Sequence, residues 1–314
     1  MSTILITGGS GLLGGNLTKL AVDKFKEVYT IYNKNPIKIE NSIDICADIT
    51  DEVEINKLIR NLSPEFIVHC AALTNVDYCE GHHKEAYEIN VKGTENLAKF
   101  AEDVGAVFIY ISTDSVFDGK KGQYTENDQP NPINYYGVTK LEGEKALKKY
   151  NIDSTIIRTN IYGWNIRNNK YSLAEWVIDG LKKKVRPSLF NDVFFSPILV
   201  NNLAECIFEV CERNLKGIFN IAGSERCSKL DFGLKLADVF NLDKSYILPM
   251  SIDNYIGLNA PRPKDMSLDV TKAKKTLNTK LLNVEEGIIW MKRLIDDGYA
   301  DKLNSYNRYH PAID

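Results

Sequence analysis

Short β-branched and aromatic runs alternate with longer stretches of helical periodicity along the first half of the chain. The strand-like runs are Thr3–Thr7, Glu27–Tyr32, Phe66–Cys70, Ala106–Ser112 and Ser154–Thr159. Between them, apolar positions recur at three- and four-residue spacing over Leu12–Asp23, Glu52–Leu62, Glu85–Asp103 and Asn134–Tyr150. Each helical stretch is long enough to cross back over a sheet face. The alternation therefore predicts right-handed βαβ crossovers around a parallel sheet, an α/β, doubly wound, Rossmann-type fold. After Asn160 the pattern loosens around Pro187, Pro197, Pro249, Pro261 and Pro263. It predicts a dinucleotide-binding domain over 1–160, with part of 198–222 packed on it, and a smaller α/β substrate lobe over most of 161–314. The polar tail Asp296–Asp314 is expected to dock or fray.

Composition narrows the partners. With 39 basic and 42 acidic side chains the net charge is −3, which gives no field for nucleic acid or an anionic membrane, so a small-molecule partner is expected. No basic leader precedes Thr3–Thr7, and no apolar run nears the roughly 18 residues that cross a bilayer, so a cytoplasmic protein is expected. The six cysteines, Cys46, Cys70, Cys79, Cys206, Cys211 and Cys227, form no C-x-x-C pair. In a reducing compartment they read as small buried hydrophobes.

The strongest local signal is Thr7-Gly8-Gly9-Ser10-Gly11-Leu12-Leu13-Gly14, where the first strand hands over to the first helix. Gly8 permits the tight turn, Gly11 lets backbone approach a pyrophosphate and Gly14 allows close helix packing, while the helix start offers free N–H groups to the anion. The spacing is G-x-x-G-x-x-G. Where a ribose-binding carboxylate would follow the second strand, the chain has Asn33-Lys34-Asn35. Neither an amide nor an ammonium repels a 2′-phosphate, so NADP (as NADPH) is favoured over NAD; a solvated Lys34 is the alternative.

Tyr136-Gly137-Val138-Thr139-Lys140 sets a phenol and an ammonium four residues apart on a helical stretch. On one helix face the ammonium would stabilise a tyrosinate and lower the phenol toward working pH. The strand ending Ile111-Ser112-Thr113 places two hydroxyls at the carboxyl end of the sheet, where a substrate carbonyl could be polarised or a turn capped.

In order, Thr7-Gly8-x-x-Gly11-x-x-Gly14, Asn90-Val91-x-Gly93-Thr94, Ser112-Thr113-Asp114 and Tyr136-x-x-x-Lys140 resemble the extended short-chain dehydrogenase/reductases. Ser112-Thr113-Asp114-Ser115-Val116-Phe117-Asp118-Gly119, Tyr136–Glu144 and Arg262–Asp269 resemble more closely the dTDP-4-dehydrorhamnose reductase family, from the first strand to about Asp269. That resemblance implies NADPH-dependent reduction of the 4-keto group of a nucleotide-linked 4-keto-6-deoxyhexose, as in conversion of dTDP-4-dehydrorhamnose to dTDP-L-rhamnose. It makes Tyr136 the proton donor, Lys140 the holder of the nicotinamide ribose and Thr113 the partner of the keto oxygen, with Ser112 the weaker candidate. It puts Asp48 and Ile49 at adenine, Ala71, Ala72 and Thr74 along the cofactor, and Arg262 near the nucleotide diphosphate. Asn160 and Trp164 fall near the expected sugar pocket, in a stretch that departs from the family form. The resemblance also allows NAD, a homodimer, a sister epimerase or reductase on a GDP- or UDP-sugar, and a non-catalytic regulatory role like the beta subunit of methionine adenosyltransferase.

Other constellations carry less. Cys70, Cys79, His82 and His83 follow no zinc spacing, and no metal is expected. There is no G-x-S-x-G elbow, and Lys182-Lys183-Lys184 with Arg186 reads as a solvated helix end.

Overall fold

The computed structural model describes residues 2–150, 154–168 and 170–307; the last seven residues of the polar tail lie outside them. The elements run β1 (Thr3–Thr7), α1 (Leu12–Ala21), β2 (Glu27–Tyr32), β3 (Ile43–Cys46), α2 (Glu52–Leu62), β4 (Phe66–His69), α3 (Val76–Gly81), α4 (His83–Tyr87), α5 (Gly93–Val104), β5 (Val107–Ile111), α6 (Tyr135–Lys149) and β6 (Ser154–Arg158). There follow β7 (Ile161–Tyr162), α7 (Leu173–Lys182), β8 (Ser188–Phe190), β9 (Phe194–Phe195), β10 (Ile198–Leu199), α8 (Val200–Glu212), β11 (Gly217–Asn220), β12 (Cys227–Ser228), α9 (Lys229–Phe240), β13 (Leu248–Met250), α10 (Thr271–Thr276), α11 (Val284–Asp296) and α12 (Tyr299–Ser305).

Seven strands pair in parallel in the order β11-β6-β5-β4-β1-β2-β3. Order reverses between β1 and β4, which opens a crevice outside the carboxyl ends of those strands. The central strands are apolar on both faces because helices cover both. Ile4, Ile6, Val68 and Ile109 pack with Leu13 and Leu17 of α1 and Leu203 and Ile207 of α8. Their neighbours Leu5, Ile67, Phe108 and Tyr110 point the other way, onto Ile55, Ile59, Leu97 and Ala101 of α2 and α5. A separate core joins α7, α9 and α11 through Val177, Leu181, Phe232, Leu236, Ile288 and Met291.

Several expectations need correcting. The single helix anticipated over Glu85–Asp103 is α4, a π-helical turn over Glu88–Lys92, and α5. The turn points Asn90 inward, where its amide joins Leu73 N, Leu73 O and the Thr139 hydroxyl at 2.7, 3.1 and 3.0 Å. The sheet also has two strands beyond the five anticipated, β3 and β11. Of the cysteines, Cys46 is exposed at the end of edge strand β3 and Cys70 is half-buried; the other four are buried. The tail docks through α12, whose Leu303, with Tyr306 after it, packs on Ile37, Ile39 and Ile166. Among the described residues no helix is long and apolar enough to cross a membrane.

Candidate active site

One cleft of about 1210 Å³ lies along the carboxyl edge of the sheet. It brings together Gly8, Ser10, Gly11, Leu12, Leu13 and Gly14 of the first turn with Asn33, Lys34, Asp48 and Ile49 beyond β2 and β3. Ala71, Ala72 and Thr74 after β4 line it too, as do Ser112, Thr113, Tyr136, Lys140 and Asn160. Residues far apart in the chain thus collapse onto one edge because the loops follow parallel strands.

The glycine turn fits an anion by its geometry. Gly8 has φ 74°, the left-handed region, and a Cβ there would come within 2.8 Å of Ala71 N and Cα. A side chain on Gly14 would drive into the Gly8 carbonyl, so the start of α1 sits directly on the turn. No side chain caps α1 at Gly11, leaving its first N–H groups toward the cleft. Beyond β3, Asp48 accepts hydrogen bonds from Thr50 N and Oγ1 at 2.9 and 2.8 Å. These residues suit a dinucleotide: a phosphate-sized anion at the turn and a polar end at Asn33, Lys34 and Asp48.

At the other end, the cap on α6 orients the phenol. The Asn134 side chain accepts from Gly137 N at 2.9 Å and donates to Pro261 O at 3.1 Å, fixing the first turn that carries Tyr136. The half-buried Tyr136 phenol meets the Thr113 hydroxyl. Burial raises the phenol well above its ordinary range; the Thr113 hydrogen bond opposes this and the Asp114 carboxylate adds to it. Lys140 does not acidify the phenol here, contrary to expectation. Its ammonium is buried over the Tyr110 ring at 4.0 Å, and burial pushes it down to about 7 against the pull of Glu144 and Cys70. A phenol that keeps its proton is a donor, which is the form a reduction requires.

The two strand-end hydroxyls separate. Ser112 Oγ donates to Glu144 Oε1 at 2.6 Å, and Glu144 is gripped by Arg158 through Nε at 3.0 Å and Nη2 at 2.7 Å, all buried. Ser112 therefore supports a buried ion pair, and Thr113 is the hydroxyl beside the phenol. Behind Thr113, Asp114 accepts from Asn160 Nδ2 at 2.6 Å, from Thr113 Oγ1 at 3.1 Å and from Ser115 Oγ at 3.3 Å. Burial raises Asp114, with Asn160 and then Lys229 pulling it down. Lys229, which begins α9 and stacks 3.2 Å from the Phe195 ring centroid, had no signal in the sequence.

Two expected residues lie elsewhere. Trp164 turns away from the cleft: its indole N–H donates to Met291 O at 2.8 Å and its ring packs on Phe240, so both its polar edge and its apolar body are used by the second core. Arg262 is held outside the cleft wall by Asp77 at 2.6 Å and by the Ala260 carbonyl at 2.9 Å. Of the residues considered for a metal, Cys70 follows His69, which is fully used in the core, bonding Thr7 Oγ1 at 2.7 Å and Thr94 Oγ1 at 3.0 Å. His82 and His83 stack on Tyr78 and Tyr135.

A family model described as "RmlD substrate binding domain" matches residues 1–296. The chain belongs to the RmlD substrate-binding family. It is 33% identical over 278 residues to methionine adenosyltransferase 2 subunit beta of Rattus norvegicus, covering 86% of this chain and 80% of that protein. A dTDP-4-dehydrorhamnose reductase of Clostridium acetobutylicum superposes with TM-score 0.82 at 30% identity, covering 94% of this chain and 99% of the other. A dTDP-4-dehydrorhamnose reductase of Bacillus anthracis in complex with NADP gives TM-score 0.81 at 28% identity, with 94% and 99% coverage. The two reductase structures share the fold described above.

Proposed function

We propose that this chain is an NADPH-dependent reductase of the 4-keto group of a nucleotide-linked 4-keto-6-deoxyhexose, with dTDP-4-dehydrorhamnose the first substrate to try. The observation that carries this reading is the meeting of Thr113 and the protonated Tyr136 in the same cleft as the glycine turn. The solved relatives that are reductases, one of them with NADP, support it.

When bound, the nicotinamide supplies a hydride to the keto carbon. The protein's part is to place and protonate. Tyr136 gives its phenolic proton to the oxygen that becomes the new hydroxyl, and the Thr113 hydroxyl, rotating its single proton from Asp114 to the substrate, donates a hydrogen bond to the same oxygen. Lys140 offers its ammonium to the nicotinamide ribose. The glycine turn holds the pyrophosphate, with Ala71, Ala72 and Thr74 along the cofactor and Asp48 and Ile49 at the adenine. Asn160 keeps Asp114 in place, and the lobe built on α7, α9 and α11 holds the nucleotide of the substrate.

The test is to mix the full chain with NADPH and a panel of dTDP-, GDP- and UDP-linked 4-keto sugars and follow reduced nicotinamide by absorbance. Oxidation with one of them supports the reading; none with any counts against it. A second reading is favoured by the similarity to the adenosyltransferase beta subunit: a regulatory subunit that binds the cofactor without turnover. Stoichiometric capture of an adenosyltransferase partner by an inactive chain would support that one instead.

A further inference from the structure

The loop between β7 and α7 belongs to the second lobe, yet it is anchored on the first. Ile166 is fully buried against Ile37 and Ile39, and a Cβ added to Gly15 of α1 would come within 2.9 Å of it. Trp164 O accepts a 2.9 Å hydrogen bond from Asn16 Nδ2. The next residues, Arg167 and Lys170, then line the same cleft as Asn33 and Lys34. Arg167 is half-buried.

The loop's own polar groups are already matched, and its cations are not. Asn165 Oδ1 accepts from Arg167 N at 3.2 Å, and Arg167 O from Lys170 N at 3.3 Å. The loop's one nearby acid, Glu175, is spent on Asn165 N and Ser172 N at 2.8 Å each. Asp48, in the same cleft, turns to Thr50 and Asn33, with Lys34 near it. Among the described residues no carboxylate pairs with Arg167 or Lys170, and the two side chains repel one another. The carboxylates that line this cleft, Asp48, Glu85, Glu88 and Asp114, form no ion pair with either of them, and unpaired cations at a cleft wall suit an anion.

We propose that Arg167 and Lys170, together with Lys34, form the seat of the cofactor's 2′-phosphate, so that the second lobe reads which nicotinamide cofactor the first lobe binds. This rests on the cofactor reading given above. It follows from where the loop is anchored: Ile166 packs on the segment that leaves β2, and in this fold the ribose 2′ position lies at the end of that strand, where a guanidinium accommodates a phosphate.

The experiment measures the Kd of NADPH and of NADH for the full chain by calorimetry, in wild type, Arg167→Ala, Arg167→Lys and Lys170→Ala. An unchanged Tm confirms that each variant is folded. The expected result is a loss of about tenfold or more in NADPH affinity for Arg167→Ala, less for Lys170→Ala, partial rescue by Arg167→Lys, and little change for NADH. Equal losses for both cofactors would assign the loop to the shared pyrophosphate and overturn the proposal, as would no loss for either. Wild type that binds neither cofactor would overturn the cofactor reading itself and this inference with it.

Discussion

Ser112 and Thr113 are neighbours in the chain, but their hydroxyls serve opposite ends of the site: Ser112 Oγ is bonded to the buried Glu144 at 2.6 Å, while Thr113 Oγ1 faces the Tyr136 phenol. The extended backbone leaving β5 turns successive side chains to opposite sides. One residue thus braces the floor of the cleft and the next reaches into it.

The two substitutions should therefore separate. Ser112→Ala removes one hydrogen bond to a charged group and should cost about 1.5–3 kcal/mol of stability in denaturant titrations, with a modest effect on kcat. Thr113→Val also loses a hydrogen bond to a buried carboxylate, on Asp114, and should cost a similar amount of stability, but it is set apart by lowering kcat by about tenfold or more. The reverse pattern would exchange their roles.

Arg158 and Glu144 form a buried two-point ion pair, and Arg158 also lies 5.2 Å from the Phe117 ring centroid. Removing one partner strands a charge. Arg158→Met should destabilise the chain by about 3–5 kcal/mol, whereas the double replacement Arg158→Met with Glu144→Leu should recover part of that loss. Urea unfolding of the three proteins tests this.

Lys140 sets a pH dependence whose sign is fixed. Burial brings it from 10.5 down to about 7 in the folded chain, and Lys229 likewise to about 8. Above about pH 7 the unfolded chain then binds more protons than the folded one, so stability rises with pH. Burial of Cys70, raised to about 12 from 9.0, works the other way once pH passes about 9. Between about pH 7 and 9, Tm should climb in wild type and climb less in Lys140→Met. A steeper climb in the variant would contradict the low ammonium pKa.

The parts of the fold legible in the sequence were those where one physical signal dominates. The strands β1, β4 and β5 carry continuous apolar runs because helices cover both their faces, and β2 and β6 carry shorter β-branched and aromatic ones. Edge strand β3, Ile43-Asp44-Ile45-Cys46, is half-exposed and carries no such run. β11 begins with a glycine at φ 98° and is named a strand only by its pairing with β6. In the site, the glycine turn and the Tyr136–Lys140 spacing are local and could be read directly. What could not be read is set by contacts distant in the chain: the pairing of Ser112 with Glu144, the turn of Trp164 onto Met291, the hold of Asp77 on Arg262 and the approach of Lys229 to Asp114. The expected acidified phenol failed for the same reason. A four-residue spacing fixes proximity along a helix, but burial decides which protonation state is favoured.

The most direct test of the reductase is Tyr136→Phe beside wild type, with NADPH oxidation followed in the presence of a nucleotide-linked 4-keto-6-deoxyhexose that wild type reduces. Loss of the phenolic proton should lower turnover by about a hundredfold or more while the Kd for NADPH stays the same. Turnover by the variant at the wild-type rate would contradict the assignment of Tyr136 as the proton donor.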